Sequence, residues 1–136
     1  MAHYLLDACA LLAFLNGEAG KQMVIDLLKQ ARNGEIRLSM SIVQLLEVYY
    51  DCIYVAGEED ARTTIKSILS EPISIIENIS YRDMYEAGRF KTSYMMSLAD
   101  SFAAAIAKNL SATIVTKDNE VKAPEKAGEF SVLWLE

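Results

Sequence analysis

Short strand-like runs recur between longer stretches of helical spacing, and this alternation leaves the chain few folds to choose from. The runs fall at residues 4–6, 36–40, 72–76, 112–115 and 131–134. They are rich in apolar and β-branched residues and lack the strict alternation of a half-solvated sheet, as expected of strands covered on both faces. Between them lie segments with apolar residues at helical spacing: 10–15, 21–32, 42 to about 55, 58–69, 80–96 and 98–110. Parallel strands need crossovers of a dozen or more residues, which such helices supply. The pattern predicts an α/β fold: a three-layer α/β/α sandwich around a central, mostly parallel sheet.

Local punctuation agrees. Gly17 and Gly20 separate the first two helices, and Asn33-Gly34 stops the second. Ser41, Ser80 and Ser97 stand where N-caps are needed, with Asp83 placed to complete a capping box with Ser80. Pro72 opens a strand, where proline is tolerated. Residues 119–126 read as a loop or short helix around Pro124. No repeat or linker is visible, so residues 1–136 are expected to form one domain.

The formal net charge is −6, so the chain lacks the basic footprint of a non-specific nucleic-acid binder. Carboxylates gathered to hold cations also produce an acidic total, so nucleic acid is not excluded. No run approaches the ~20 apolar residues of a membrane helix. Residues 1–3 carry no basic stretch of the secretory kind, and the expected location is the cytoplasm. Cys9 and Cys52 match no zinc spacing and read as buried thiols in a reducing compartment. His3, the single histidine, reads as a surface residue.

Four acids occupy telling places. Asp7 follows the strand "YLL" and Asp118 follows "TIVTK", where ligands collect beyond the carboxyl ends of parallel strands. Glu47 interrupts "SIVQLLEVYY", and Asp100 lies in "MSLADSFAAAIA". Each acid has a plain explanation: Asp7 as a helix cap, Asp118 as a turn residue, Glu47 as a solvated helix position, Asp100 as a complement to the helix dipole. Their concurrence points elsewhere. Carboxylates pressed together either have raised pKa values or demand a counter-charge, for which hard divalent cations such as Mg²⁺ or Mn²⁺ are the natural choice. One histidine and two unpaired cysteines make zinc or copper a poor match.

The blocks "LLDACALLAFLNGE", "MSIVQLLEVYYD" and "SLADSFAAAIAKNLSATIVTKD" resemble the successive signatures of PIN domains, and within them the VapC-like toxins of toxin–antitoxin pairs. The resemblance spans Leu5 to Asp118. It implies a Rossmann-like sandwich and a metal-dependent endoribonuclease that cleaves RNA phosphodiesters with a metal-activated water. It also implies a homodimer, and a cognate antitoxin whose segment enters the acidic groove. It assigns the catalytic, metal-holding cluster to Asp7, Glu47, Asp100 and Asp118. One departure stands out: the family often has Ser or Thr in the two places after the first Asp, and this chain has Ala8 and Cys9. A hydroxyl that would orient Asp7 is thereby in question.

Thr116 and Ser97 are candidates to orient the acids. Lys91, with Arg89 and Lys117, is a candidate to contact phosphates, against a plain reading as solvated charge. Tyr49, Tyr50, Tyr54, Tyr81, Tyr85 and Tyr94 read as core or dimer packing rather than base-stacking platforms. Two alternatives accompany the nuclease: a PIN-like interaction module without catalysis, and a Mg²⁺-binding phosphoacceptor domain of receiver type.

Overall fold

The computed structural model describes residues 1–136. Strands β1 (His3–Leu6), β2 (Arg37–Ser41), β3 (Ser74–Ile76), β4 (Thr113–Thr116) and β5 (Val132–Trp134) form one sheet in the order β3-β2-β1-β4-β5. Every pairing is parallel, so the sheet is wholly rather than mostly parallel. The helices are α1 (Ala8–Asn16), α2 (Lys21–Arg32), α3 (Ile42–Ala56), α4 (Glu58–Leu69), α5 (Tyr81–Tyr94), α6 (Leu98–Leu110) and a short α7 (Lys122–Lys126). A single 3-10 turn, Asn119–Val121, precedes α7.

The period of two along a strand makes the sandwich. On β1, Leu6 packs with residues of α1, α2 and α3, including Leu11, Val24 and Leu45. Its neighbour Leu5 points the other way, onto Ile106, Ala107 and Ile114. Helices α5 and α6 close that second face through Ala87, Phe90, Ala104 and Ala105. The alanines of α6 are nearly all buried, and their small side chains let the helix lie close to its neighbours.

Strand order also places the site. The chain steps outward from β1 to β2 and β3, then returns to lay β4 on the other flank of β1. Ligands of such sheets bind at this reversal, beyond the carboxyl ends of the strands. Asp7 directly follows β1, and Asp118 lies two residues beyond β4. The same order removes the receiver alternative, whose fold runs 2-1-3-4-5.

Several boundaries differ from the sequence reading. The first helix begins at Ala8, because Asp7 caps it. Helix α5 stops at Tyr94, and Met95 takes a left-handed φ of 54° that turns the chain toward the Ser97 cap of α6. His3 is not a free surface residue: it is half-buried, and its Nε2 shares a 2.7 Å hydrogen bond with Ser39 Oγ. The cysteines are free and only partly buried. Tyr50, Tyr54, Tyr81 and Tyr85 are exposed rather than packed in the core. No helix is long and apolar enough to cross a membrane.

Gly20 shows how tightly the last strand's end is held. Its φ is 95°, and a Cβ built there would stand 2.9 Å from Leu135 Cβ. Gly20→Ala should cost about 2 kcal/mol from left-handed strain plus overpacking. Urea unfolding should report it as a lower midpoint at unchanged slope.

Candidate metal centre

Asp7 is positioned twice over. Its amide donates to the Val115 carbonyl at 3.0 Å, extending the β1–β4 ladder one residue past the strand. Its extended backbone then starts α1, with Oδ1 accepting from the Ala8 amide at 2.9 Å. Oδ2 accepts a 2.8 Å hydrogen bond from Thr116 Oγ1. Thr116 ends β4 and is fully buried. Its hydroxyl also accepts from the Asp118 amide at 3.0 Å, so one side chain touches both strand-end acids. Asp118 in turn caps the 3-10 turn, Oδ1 accepting from the Glu120 amide at 2.9 Å.

Asp100 is the third residue of α6. Its amide donates to Ser97 Oγ at 3.2 Å, which orients the first turn over the crevice. Ser97 therefore acts as the helix cap. Its own amide donates to Glu120 Oε1 at 2.5 Å, latching the turn after Asp118 onto the start of α6.

Asp7, Asp100 and Asp118 each bring one carboxylate oxygen within 4.8 Å of the other two. Asp7 and Asp100 are only 4% and 5% exposed. Glu47 shares their cleft, a cavity of about 250 Å³ also lined by Cys9, Tyr50 and Asp51, but stands outside this close trio. The four acids thus converge as three plus one at the margin. The cap and turn readings of Asp7 and Asp118 hold as well; capping and clustering coexist in the same side chains.

The electrostatics are those of crowded anions. Burial lifts the Asp7 carboxyl above its ordinary range, against the opposing hydrogen bonds of Thr116 and Ala8. Asp100 is raised by burial, by contact with the Asp118 carboxyl and by the charge of Asp7. Glu47 is pushed up to about 7 by burial, then by Asp7 and Asp51. No protein cation relieves them. Lys117 reaches Glu18 at 3.5 Å, and Lys91 donates to the Met96 carbonyl at 3.0 Å. Arg89 is held by Glu86 and Glu129. The phosphate-contact expectation for Lys91 and Arg89 thus meets side chains already committed elsewhere. An oxygen-only donor set with no internal counter-charge fits a hard divalent ion of the Mg²⁺ or Mn²⁺ type.

The Ala8-Cys9 departure is compensated. Cys9 Sγ lies 3.2 Å from Thr116 Oγ1 and 3.6 Å from Asp7 Oδ2, and accepts from the Lys117 amide at 3.4 Å. Burial and Asp7 push the thiol up to about 11, so it stays protonated at neutral pH. The hydroxyl that orients Asp7 comes from Thr116. Asp51 and Glu120 were missed in the sequence, although Asp51 follows Glu47 at i+4, on the same helix face, and Glu120 sits two residues past Asp118.

A pH dependence follows. Acids with raised folded pKa favour folding while protonated and lose that contribution as pH rises through the folded value. For Glu47 the window runs from about 4.5 to about 7. Thermal scans in chelator should show the melting temperature falling across that window, and Mn²⁺ should restore it at the upper end.

A profile of the PIN domain matches residues 4–127. Among solved structures, VapBC2 from Rickettsia felis, bound to a DNA fragment from its promoter, superimposes with a TM-score of 0.78 at 19% identity, covering 98% of this chain and 99% of that one. DNA-bound VapBC from Salmonella typhimurium gives 0.72 at 13% identity, with 98% of each chain covered. VapBC-1 from nontypeable Haemophilus influenzae gives 0.69 at 15%, with 96% of each covered. Comparison with curated protein sequences returns no match. The structural likeness carries the fold; the profile, spanning nearly the whole chain and all four clustered acids, carries the family: the chain belongs to the PIN domain family.

Proposed function

We propose that the protein is an endoribonuclease dependent on Mg²⁺ or Mn²⁺, and the toxin member of a toxin–antitoxin pair. The observation that carries this is the trio Asp7, Asp100 and Asp118, gathered within 4.8 Å at the switch point of the sheet without a protein cation. Family membership and the VapBC complexes among the structural neighbours support it.

In this reading Asp7 and Asp100 hold the principal ion, while Asp118 and Glu47 complete the cluster directly or through ordered water. A bound divalent ion would act as a Lewis acid, lower the pKa of water and neutralise charge building on the phosphodiester. Thr116 keeps Asp7 and Asp118 in register through its paired hydrogen bonds. Ser97 and Glu120 hold the turn that presents Asp100. A covalent route has no support: the cleft contains no histidine, and the Cys9 thiol titrates near 11.

The partners belong to the same reading. RNA is the substrate. The outer face of α3 exposes Ile42, Leu46 and Tyr50 beside Glu47. Next to it, a groove of about 530 Å³ between α3 and α4 is lined by Leu45, Tyr49, Ile65 and Arg62. An antitoxin segment lying there would cover apolar surface and end in the acidic cleft. Exposed Tyr81 and Tyr85 on α5 offer further apolar area to a second subunit of a homodimer. The cytoplasm, where RNA and antitoxin meet, is the proposed location.

Asp100→Asn removes one charge at nearly constant shape. The variant should stay folded, bind Mn²⁺ at least tenfold more weakly by calorimetry, and lose cleavage of a mixed RNA pool. Unchanged affinity and cleavage would remove Asp100 from the mechanism. A wild-type chain that binds Mn²⁺ but leaves RNA intact would point to the PIN-like interaction module instead.

A further inference from the structure

Polar side chains tie the acid-bearing segments of this centre together. Thr116 joins the segments of Asp7 and Asp118, and Glu120 joins that of Asp118 to the start of α6. Glu47 rides on α3, which packs mainly against α4, also against α1, and touches α6 over a smaller area. A single side-chain hydrogen bond spans that contact: Gln44 Nε2 donates to the Ala99 carbonyl at 2.7 Å. Gln44 precedes Glu47 by three residues and so lies one turn away on the same side of α3. Ala99 immediately precedes Asp100. The bond therefore runs from the neighbourhood of one acid to the backbone that carries another.

The residue type at position 44 is unexpected on packing grounds. Gln44 is wholly buried, and its Oε1 has no hydrogen-bond partner in the protein. A buried unsatisfied amide oxygen lowers stability, and an apolar side chain of the same length fills the space without that penalty. Packing alone therefore gives no reason for an amide here, whereas the directed bond to Ala99 does.

We propose that Gln44 is a positioning residue of the metal centre: its amide fixes α3 against the first turn of α6 and so sets the reach of Glu47 toward Asp7, Asp100 and Asp118. The inference rests on the metal-dependent reading given above. It separates the centre into a trio held by Thr116, Ser97 and Glu120, and a fourth acid whose one side-chain tie to the Asp100 segment is the Gln44 amide.

Gln44→Met keeps length and volume and removes the bond. In the full chain its melting temperature in chelator should equal or exceed that of the wild type, because the unpaired oxygen is gone. Mn²⁺ should bind about tenfold more weakly by calorimetry, and kcat should fall at unchanged KM for RNA. Gln44→Thr, too short to reach Ala99, should show the same loss of affinity and provides the reading if the Met variant does not fold. Combining Gln44→Met with Glu47→Gln should weaken Mn²⁺ binding little beyond Glu47→Gln alone, since both act through one carboxylate. Wild-type Mn²⁺ affinity in the Gln44 variants, or losses that add in full, would overturn the proposal. A wild-type chain that takes up no Mn²⁺ fails earlier and overturns the metal-centre reading itself.

Discussion

Mutual repulsion among buried carboxylates is the constraint around which this molecule is organised. Asp7 and Asp100 lie almost out of solvent, and Asp118 approaches both. Burial first, and close like charges after it, resist ionisation, as the raised Asp7, Asp100 and Glu47 carboxyls reflect. Such an arrangement persists only when the surrounding structure over-determines it. Here the ends of two parallel strands fix Asp7 and Asp118, a 3-10 turn holds Asp118 again, and a helix cap fixes Asp100. Thr116, with no exposed surface, binds two of the segments through a single hydroxyl.

The scaffold around the cluster is ordinary by comparison. Two apolar layers sandwich the sheet, and the alternating directions of Leu5 and Leu6 supply each layer from adjacent residues. A second polar knot, far less strained, fastens the loop before β5. There Glu129 takes Arg89, Lys108 and Tyr94, and its carboxyl is pulled down to about 2. The contrast is instructive. Glu129, with its cationic partners, secures the fold, whereas the buried acids Asp7 and Asp100, without them, stand at the switch point.

Much of this is legible in the amino-acid sequence. Strand–helix alternation is a long-range regularity, and it was enough to recover the five strands and the three layers. Asp7 and Asp118 stood out because a strand end is a fixed place in a parallel sheet, and Asp100 because an acid opened an alanine-rich helix. Contacts between side chains distant in sequence could not be read in the same way. Nothing local says that Arg89 turns to Glu129 or that His3 meets Ser39. Cys9 illustrates the limit best. The sequence offers Thr116 as a candidate to orient an acid, but does not say that it stands beside Cys9, 107 residues away, and bonds Asp7.

The insertion of β4 beside β1 has a consequence in time as well as in space. Ribosomes deliver residues in order, and domains acquire structure as they emerge. Asp7 emerges well before its neighbours Asp100, Thr116 and Asp118, which follow it by 93, 109 and 111 residues. A nascent chain therefore carries no assembled centre. Whatever chemistry the crevice performs begins only after β4 and Asp118 have emerged, an order of events written into strand topology alone.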